Sequence, residues 1–157
     1  MTYDTWNSLP SMFFEIAEQG GNGDFMWKKV AGRYTTLSWR DAARQVREMA
    51  KGLAALGVQA GDRVVIAAEN RPEWVVADLA IMALGAISVP AYTTNTTSDY
   101  RHVLADCSAK GAVVSTRALA ARLLPAASET TATEFIVSME ATASGSFDIA
   151  LYEWTAV

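Results

Sequence analysis

The stretch Arg63–Tyr92, RVVIAAENRPEWVVADLAIMALGAISVPAY, constrains the fold more than any other part of the chain. It opens with the apolar run Val64–Ala68, and such a run without polar alternation is typical of a strand covered on both faces. In the segment Pro72–Leu84 that follows, Asp78 is the only charged residue after Glu73. A helix that is apolar all round is expected to be buried. A second short strand follows, so the order predicts a parallel β-α-β unit within an α/β fold.

Five residues are predicted to have structural roles in this unit. Asn70 is predicted to be the N-cap of the helix, because its side chain can accept a backbone N–H there. Pro72 suits the first helical turn, where its missing N–H is not needed. Trp74 is predicted to be a core anchor. Gly85 suits the left-handed residue after the helix, and Pro90 ends the second strand or confines it to a sheet edge.

The remaining patterns add helices and strands on both sides of this unit. The predicted elements are the helix Met12–Gln19 capped by Ser11, the hairpin strands Asp24–Val30 and Arg33–Leu37, the helix Trp39–Leu56, the strand Ala86–Val89, the helix Asp99–Cys107 capped by Ser98, the strand Ala112–Ser115, a helix from Thr116 to Leu124, the strand Glu134–Met139 and a short helix within Phe147–Trp154. Together they predict a mostly parallel sheet flanked by helices, with an N-terminal β-hairpin. Residues 1–157 are expected to form one α/β unit.

A polar run, Tyr92–Ser98, follows the second strand directly. The carboxyl ends of strands are where open α/β sheets bind their ligands. Tyr92, Thr93 and Thr94 are therefore candidates for a loop beside a substrate. The alternative is an Asn/Thr-rich loop that only leads to the next helix, and the residue types favour this alternative.

Other residues give weaker signals for a site. Cys107 and His102 are five positions apart, a spacing at which helical side chains do not meet, so a half-buried thiol and a surface histidine are predicted. The turn Glu69–Glu73 lacks the glycines of a dinucleotide site. Gly20–Gly23 lacks the Lys-Ser/Thr that completes a phosphate loop and is predicted to be a flexible turn. The residues alone thus predict no catalytic residue, cofactor-binding residue or metal ligand.

Charge and hydropathy exclude two classes of partner. The net charge is −4 and the thirteen basic residues are scattered, so no surface for nucleic acid is expected. The longest apolar stretch, Leu79–Ala91, is too short for a membrane span and is interrupted by Gly85 and Pro90, so no transmembrane segment is expected. With a single cysteine and an acidic N-terminus unlike a signal peptide, a cytoplasmic location is the simplest expectation.

Three pieces of the chain, in this order, resemble the N-terminal portion of the adenylate-forming acyl-CoA synthetases, the AMP-forming ligases. They are Leu37–Asp41 leading into Gly52–Val58, Gly61–Val64 running on to Asn70–Trp74, and Gly85–Pro90. The hairpin segment Trp27–Val30, before the Ser-Trp helix start, resembles the long-chain fatty acyl branch most. One departure is Tyr92–Thr94, which stands where the family often has Tyr-Pro-Thr.

The resemblance implies an enzyme that uses ATP, Mg²⁺ and CoA to convert a fatty acid first to an acyl-adenylate and then to a thioester. The family's Ser/Thr/Gly-rich phosphate loop, Thr-Glu pair, ribose-binding Asp and C-terminal lysine have no counterpart in this sequence. The chain is therefore expected to be an incomplete N-terminal portion of the AMP-binding domain, inactive alone and binding none of these cofactors. Its expected partner is the missing remainder of the same enzyme, with peripheral membrane association of that parent left open.

Two further expectations follow from this interpretation. A face that belongs against the missing remainder would be exposed, and a large apolar patch promotes association, so the isolated chain is expected to form a dimer or higher oligomer. The alternative to the fragment hypothesis is a stand-alone α/β interaction or small-ligand-binding module without catalysis.

Overall fold

The computed structural model describes residues 6–143, 145 and 147–157. Its elements are, in chain order, α1 (Leu9–Gly20), β1 (Asp24–Val30), β2 (Arg33–Ser38), α2 (Trp39–Ala55), β3 (Arg63–Ala67), α3 (Pro72–Ala83), β4 (Ile87–Pro90), α4 (Thr97–Asp106), β5 (Gly111–Val114), α5 (Arg117–Ser128), β6 (Phe135–Ser138), β7 (Ala150–Glu153) and a 3₁₀ helix, Trp154–Ala156. The predicted α/β fold with an N-terminal hairpin is confirmed.

Strands β3 to β7 form one five-stranded parallel sheet in the order β4-β3-β5-β6-β7. Val64 of β3 lies between Ser88 of β4 and Gly111 of β5. The chain therefore adds β4 on one side of β3 and then crosses to the other side for β5. This reversal is a topological switch point, and ligand crevices in open α/β sheets form at the carboxyl ends of strands that flank such a point.

Helices cover both faces of this sheet. On one face, side chains of β3 such as Val64 and Ile66 join a buried cluster with residues of α1, α2 and α3. On the other face, Val65 and Ala67 of the same strand pack with residues of α4 and α5. Because successive strand residues point to opposite faces, the continuous apolar run is explained by a strand that is buried on both sides.

The hairpin of β1 and β2 is antiparallel and packs beside the first layer of helices. Its turn, Ala31-Gly32, has positive φ at both residues (48° and 82°), the geometry of a two-residue hairpin loop. A bulge between Asp24 and Met26 leaves Phe25 outside the regular pairing. The Phe25 ring centroid lies 4.0 Å from that of Trp39 at the start of α2, which fixes the base of the hairpin to the core.

The sequence placed the N-cap of α3 at Asn70, and this prediction is wrong. The cap is Arg71, which has an extended backbone (φ −151°, ψ 156°) and makes no side-chain capping bond. The residue before a proline disfavours the helical region, so Pro72 moves the boundary to Arg71. Pro72 is the first residue of α3 and Glu73 lies in its first turn, as the sequence predicts.

Two other predicted caps are also wrong. Helix α1 begins after Ser8, and Ser11 is the third helical residue, whose side chain completes the capping box. Helix α4 begins after Thr96, and its partner in the box is Asp99. Ser98 lies inside that helix. In both cases several hydroxyl residues compete near the boundary, and the one with a suitable partner three residues later becomes the cap.

The predicted end of α5, at Leu124, and the last predicted helix are both wrong. Helix α5 continues to Ser128 with Pro125 in its interior, because Ala126 and Ala127 are buried beyond the proline and packing outweighs the lost hydrogen bond. The segment within Phe147–Trp154, predicted as helix, instead contains strand β7, which pairs in parallel with β6. Gly85 has a φ of 71° and Pro90 is the last residue of the edge strand β4, as the sequence predicts.

Candidate functional site

The carboxyl ends of β3 and β4, next to the switch point of the sheet, border a cleft of about 510 Å³. Glu69 and Asn70 follow β3 and line one side of this cleft, and Tyr92 and Thr93 follow β4 and line the other. Trp74 of α3 is partly buried and also lines it. Trp74 packs against the first core cluster, so it is a core residue that also faces the cleft.

The loop after β4 is held in place by its backbone carbonyl groups. The guanidinium of Arg122 on α5 donates to the carbonyl oxygens of Thr93 and Asn95, at 3.0 and 2.7 Å. The buried Tyr100 donates its hydroxyl to the carbonyl oxygen of Tyr92 at 2.9 Å. This leaves the Tyr92 side chain 82% exposed. The structure therefore brings Tyr92 and Thr93 to the cleft, whereas Thr94 is exposed and is not part of its lining.

A carboxylate lies at the switch point itself. The hydroxyl of Ser115, which is fully buried at the end of β5, donates to the carboxylate of Glu69. This bond joins the ends of β3 and β5. It also places a negative charge beside the cleft, which disfavours a bound phosphate there. Contact between the loop of Tyr92, Thr93 and Thr94 and a substrate stays a prediction.

The first turn of α3 carries a carboxylate, Glu73, that is paired with two basic side chains. Glu73 accepts hydrogen bonds from the Lys28 ammonium of β1 at 2.7 Å and from Arg71 Nε at 2.9 Å. Burial alone raises the pKa of the Glu73 carboxyl, but the bonds from Arg71 and Lys28 outweigh burial and lower this pKa to about 2. An anionic ligand would compete with this carboxylate for the same helix dipole, so the turn is not suited to binding phosphate.

A second cavity, of about 440 Å³, lies between β1 and the start of α3. Asn70 and Trp74 line it as well, so these two residues separate the two cavities. Its other lining residues include the apolar side chains of Phe25, Trp27 and Val75. This cavity therefore suits apolar groups, in contrast to the more polar cleft at the switch point.

The remaining candidates of the sequence are not brought together. His102 is exposed and Cys107 is partly buried, and burial raises the pKa of the Cys107 thiol, which keeps it protonated and unreactive. The turn of Gly20–Gly23 packs against the start of α2, with Gly20 in close contact with the Trp39 side chain. Among the described residues, no group of three His, Cys, Asp or Glu side chains could hold a metal ion, and no helix is long and apolar enough to cross a membrane.

Sequence reasoning missed three polar residues that shape the site, namely Arg122, Ser115 and Lys28. Their partners are distant in the chain: 27 and 29 residues separate Arg122 from Asn95 and Thr93, and 46 separate Ser115 from Glu69. Local periodicity carries no information on such contacts. The only available signal was that Ser115 ends a predicted strand, whereas Lys28 and Arg122 lie within predicted elements.

We expect Arg122→Ala to loosen the loop after β4. Arg122 donates two charge-assisted hydrogen bonds to partly buried carbonyl groups, and the loss of such bonds costs about 1.5–3 kcal/mol of unfolding free energy. Backbone amides near Thr93 and Asn95 should then exchange faster in hydrogen–deuterium exchange. Arg117→Ala is the control on the same helix: its exposed guanidinium donates to the carbonyl oxygen of Ala141, not to the loop after β4, so amides near Thr93 and Asn95 should exchange as in the parent chain. Equal exchange rates in both variants would contradict the assigned role of Arg122.

Comparisons with known proteins define the class of this fold. The structure superposes on coronafacic acid ligase from Pectobacterium brasiliense with a TM-score of 0.83 at 16% identity, covering 94% of this chain and 28% of that one. At this identity the likeness shows the fold, which is that of a segment of this ligase. The family model described as AMP-binding enzyme matches residues 13–152. The chain therefore belongs to the AMP-binding enzyme family, which confirms the resemblance seen in the sequence motifs.

The relatives in sequence include two proteins of Mycobacterium tuberculosis. The long-chain-fatty-acid–CoA ligase FadD15 of Mycobacterium tuberculosis is 40% identical over 103 residues, which cover 66% of this chain and 17% of that ligase. The uncharacterized protein Rv1549 of the same organism is 42% identical over 66 residues, 42% of this chain and 38% of that protein. The chain thus matches about a sixth of the length of the ligase.

Proposed function

We propose that this chain is the N-terminal part of an AMP-forming acyl-CoA ligase that activates a long-chain fatty acid. The observation that carries the proposal is the 40% identity with the ligase FadD15 over 103 residues. The family match over residues 13–152 supports the adenylate-forming class. The preference for a long-chain acid rests on the relative alone, because no described cavity identifies the acid.

In the proposed reaction, a carboxylate oxygen of the acid attacks the α-phosphorus of ATP, and the bond from that phosphorus to pyrophosphate breaks. The sulfur of CoA then attacks the acyl carbon and AMP leaves. ATP, Mg²⁺ and CoA are the cofactors of this proposal. Among the described residues, no group of three His, Cys, Asp or Glu side chains could hold a metal, and the carboxylate of Glu73 in the first turn of α3, paired with Lys28 and Arg71, disfavours a phosphate there.

The role proposed for this chain is therefore structural support beside the reaction. The segments that follow β3 and β4 line the cleft of about 510 Å³. Arg122 and Tyr100 hold the loop after β4, which borders this cleft. Tyr92 and Thr93 are the residues we propose to lie beside a substrate, with Thr94 further from the cleft. No residue of the chain is assigned a catalytic role.

We expect the purified 157-residue chain to show no fatty-acid-dependent ATP–pyrophosphate exchange, because it lacks a phosphate loop and a catalytic lysine. The coding frame is expected to continue past Val157 into a Ser-Gly-Thr-Thr-Gly-x-Pro-Lys loop. The protein encoded by that longer frame should catalyse exchange with palmitate faster than with acetate. Exchange by the isolated chain would contradict its inactivity, and an absence of exchange with any acid by the longer protein would contradict the ligase proposal.

We further propose that the isolated chain self-associates. Several large apolar side chains are exposed in the structure, and such surfaces promote association. Among the described residues they include Leu9, Trp27, Tyr34, Ile87 and Tyr92. Light scattering across a range of concentrations should give a mass above that of the monomer of 16.9 kDa. A monomer at the highest concentration would contradict this proposal.

One observation favours a second candidate, a stand-alone module that binds a small ligand or a partner without catalysis. The relative Rv1549 is itself short, since 66 aligned residues make up 38% of it. Isothermal titration of the chain with ATP, AMP and palmitate separates the candidates. Binding of one of these ligands, together with a stop codon directly after Val157, would favour the module.

A further inference from the structure

Exposed aromatic and basic side chains share one face of the hairpin. The strand register places Trp27 opposite Thr36 and Lys29 opposite Tyr34, so these four residues form what we call the outer face. Trp27 is 61% exposed and Tyr34 is 67% exposed. The ammonium of Lys29 lies 5.7 Å from the centroid of the Tyr34 ring, so the cation is held against the aromatic surface.

The tip of the hairpin is exposed on both of its faces. Val30 and Arg33 flank the two-residue turn and point to the face opposite Tyr34. Val30 is 48% exposed and Arg33 is also exposed. Nearer the base of the hairpin, Met26 and Leu37 are partly buried. The tip, residues 29–34, is therefore a convex projection with solvent on both sides, whereas Trp27, nearer the base, is exposed but also borders the cavity between β1 and α3.

This projection is positively charged in a chain whose net charge is −4. Within the described residues, neither Lys29 nor Arg33 forms a salt bridge, whereas Lys28 on the inner face is paired with Glu73. Asp24, at the base, is the only acidic residue of the two strands. The exposed charge at the tip is thus basic and lies beside Trp and Tyr rings.

We propose that the tip of this hairpin docks on an anionic phospholipid surface. Trp and Tyr are the residues enriched where a bilayer meets water, because an apolar ring with a polar edge suits the headgroup region. Lys29 and Arg33 would face the lipid phosphates, and each basic residue near an anionic membrane adds about 1 kcal/mol, or roughly fivefold in partitioning. Val30 would lie deepest, at the boundary with the acyl chains.

The shape and charge of the tip favour this partner over two others. A stable protein interface buries about 800 Å² on each side, which the few side chains of a convex tip do not supply. A nucleic acid backbone requires several basic contacts, and only Lys29 and Arg33 are free at the tip. The inference goes beyond the proposed ligase activity and does not depend on it, because vesicle binding is measured without ATP or acid.

The test is cosedimentation of the 157-residue chain with vesicles of pure phosphatidylcholine and with vesicles that contain phosphatidylserine. Binding is expected only to the anionic vesicles, and added salt should weaken it. Lys29→Gln combined with Arg33→Gln should lower the partition coefficient about 25-fold. Trp27→Ala should lower it as well, and Trp27→Phe should retain part of the binding.

Matched variants control for charge and for exposed aromatic area. Arg40→Gln with Lys51→Gln makes the same change in net charge on the exposed face of α2, and Phe147→Ala removes an aromatic ring that is 37% exposed. Both controls should bind like the parent chain, and circular dichroism should show every variant folded. Equal binding to both vesicle types, no binding, or hairpin variants that bind normally would overturn the proposal. If the hairpin variants abolish self-association and leave vesicle binding unchanged, the tip is a contact between two copies of this chain. That result would also overturn the proposal.

Discussion

Phe135→Ala is expected to lower the unfolding free energy of this chain by about 3–5 kcal/mol. Phe135 is 2% exposed at the start of β6 and pairs with Gly111 of β5. A Cβ added at Gly111 would overlap the Phe135 ring, because it would lie closer to the ring than the sum of atomic radii allows. The phenylalanine ring thus fills the space that the glycine leaves open, and it is part of the first core cluster. Urea denaturation monitored by circular dichroism measures the loss.

The paired glycine provides a sharper version of this test. Gly111→Ala alone should cost about 1–3 kcal/mol, because the added methyl group would displace the ring. In the double variant, Gly111→Ala with Phe135→Ala, the added methyl group meets no ring. The losses of unfolding free energy of the two single variants should therefore not add, and the coupling free energy should be about 0.5–3 kcal/mol. Phe147→Ala, at a ring that is 37% exposed, is the control and should change stability little. Strict additivity would show that Phe135 does not depend on the glycine.

The regular elements of this fold were predictable because burial leaves a periodic pattern in the sequence. The run Val64–Ala68 has no polar residue, and β3 is buried on both faces by helices. The helix of Trp39–Leu56 and the hairpin likewise agree with α2, β1 and β2 within a residue or two. In each case the residues that define the pattern are those whose burial stabilises the element.

Helix boundaries and the last strand were not predictable for two physical reasons. The choice among Ser8, Ser11, Thr96 and Ser98 as caps depends on which hydroxyl has a side-chain partner three residues later, and energies of about 1 kcal/mol separate the alternatives. Strand β7 exists because β6 offers it a parallel edge. A short segment with mixed periodicity takes its conformation from such a neighbour, and the neighbour is not visible in the local sequence.

The same distinction applies to the candidate site. Tyr92 and Thr93 were predicted to lie beside a substrate because a ligand cleft is expected where a strand ends; they line a cleft there, and contact with a substrate stays a prediction. Arg122 and Tyr100, which fix that loop, act through its carbonyl oxygens. Every residue carries a carbonyl group, so the sequence gives no sign of which one is an acceptor. The position of a loop can thus be predicted from the topology of the sheet. The hydrogen bonds that hold the loop are seen only in the tertiary structure.

The second large effect is expected from acid, through Glu73. Its pKa is about 2 in the folded chain and 4.5 in the reference state, so between these values the unfolded chain binds more protons. Glu73 therefore contributes its full stability above about pH 4.5 and loses it as the pH falls towards 2. The carboxylate side chain is only 21% exposed, and the difference in pKa corresponds to at most about 3 kcal/mol. Denaturation curves of Glu73→Gln and the parent chain at a series of pH values measure this contribution.

The variant should be less stable than the parent by up to about 3 kcal/mol at pH 6, and the difference should vanish near pH 2. Because the bond from Lys28 joins β1 to α3, amides of the hairpin should also exchange faster in the variant at pH 6 and equally fast at low pH. Glu48→Gln, at an exposed pair with Arg44, is the control and should change stability by less than about 0.5 kcal/mol at any pH. Parallel stability curves for Glu73→Gln and the parent would mean that the carboxylate does not fasten the hairpin to the helix layer.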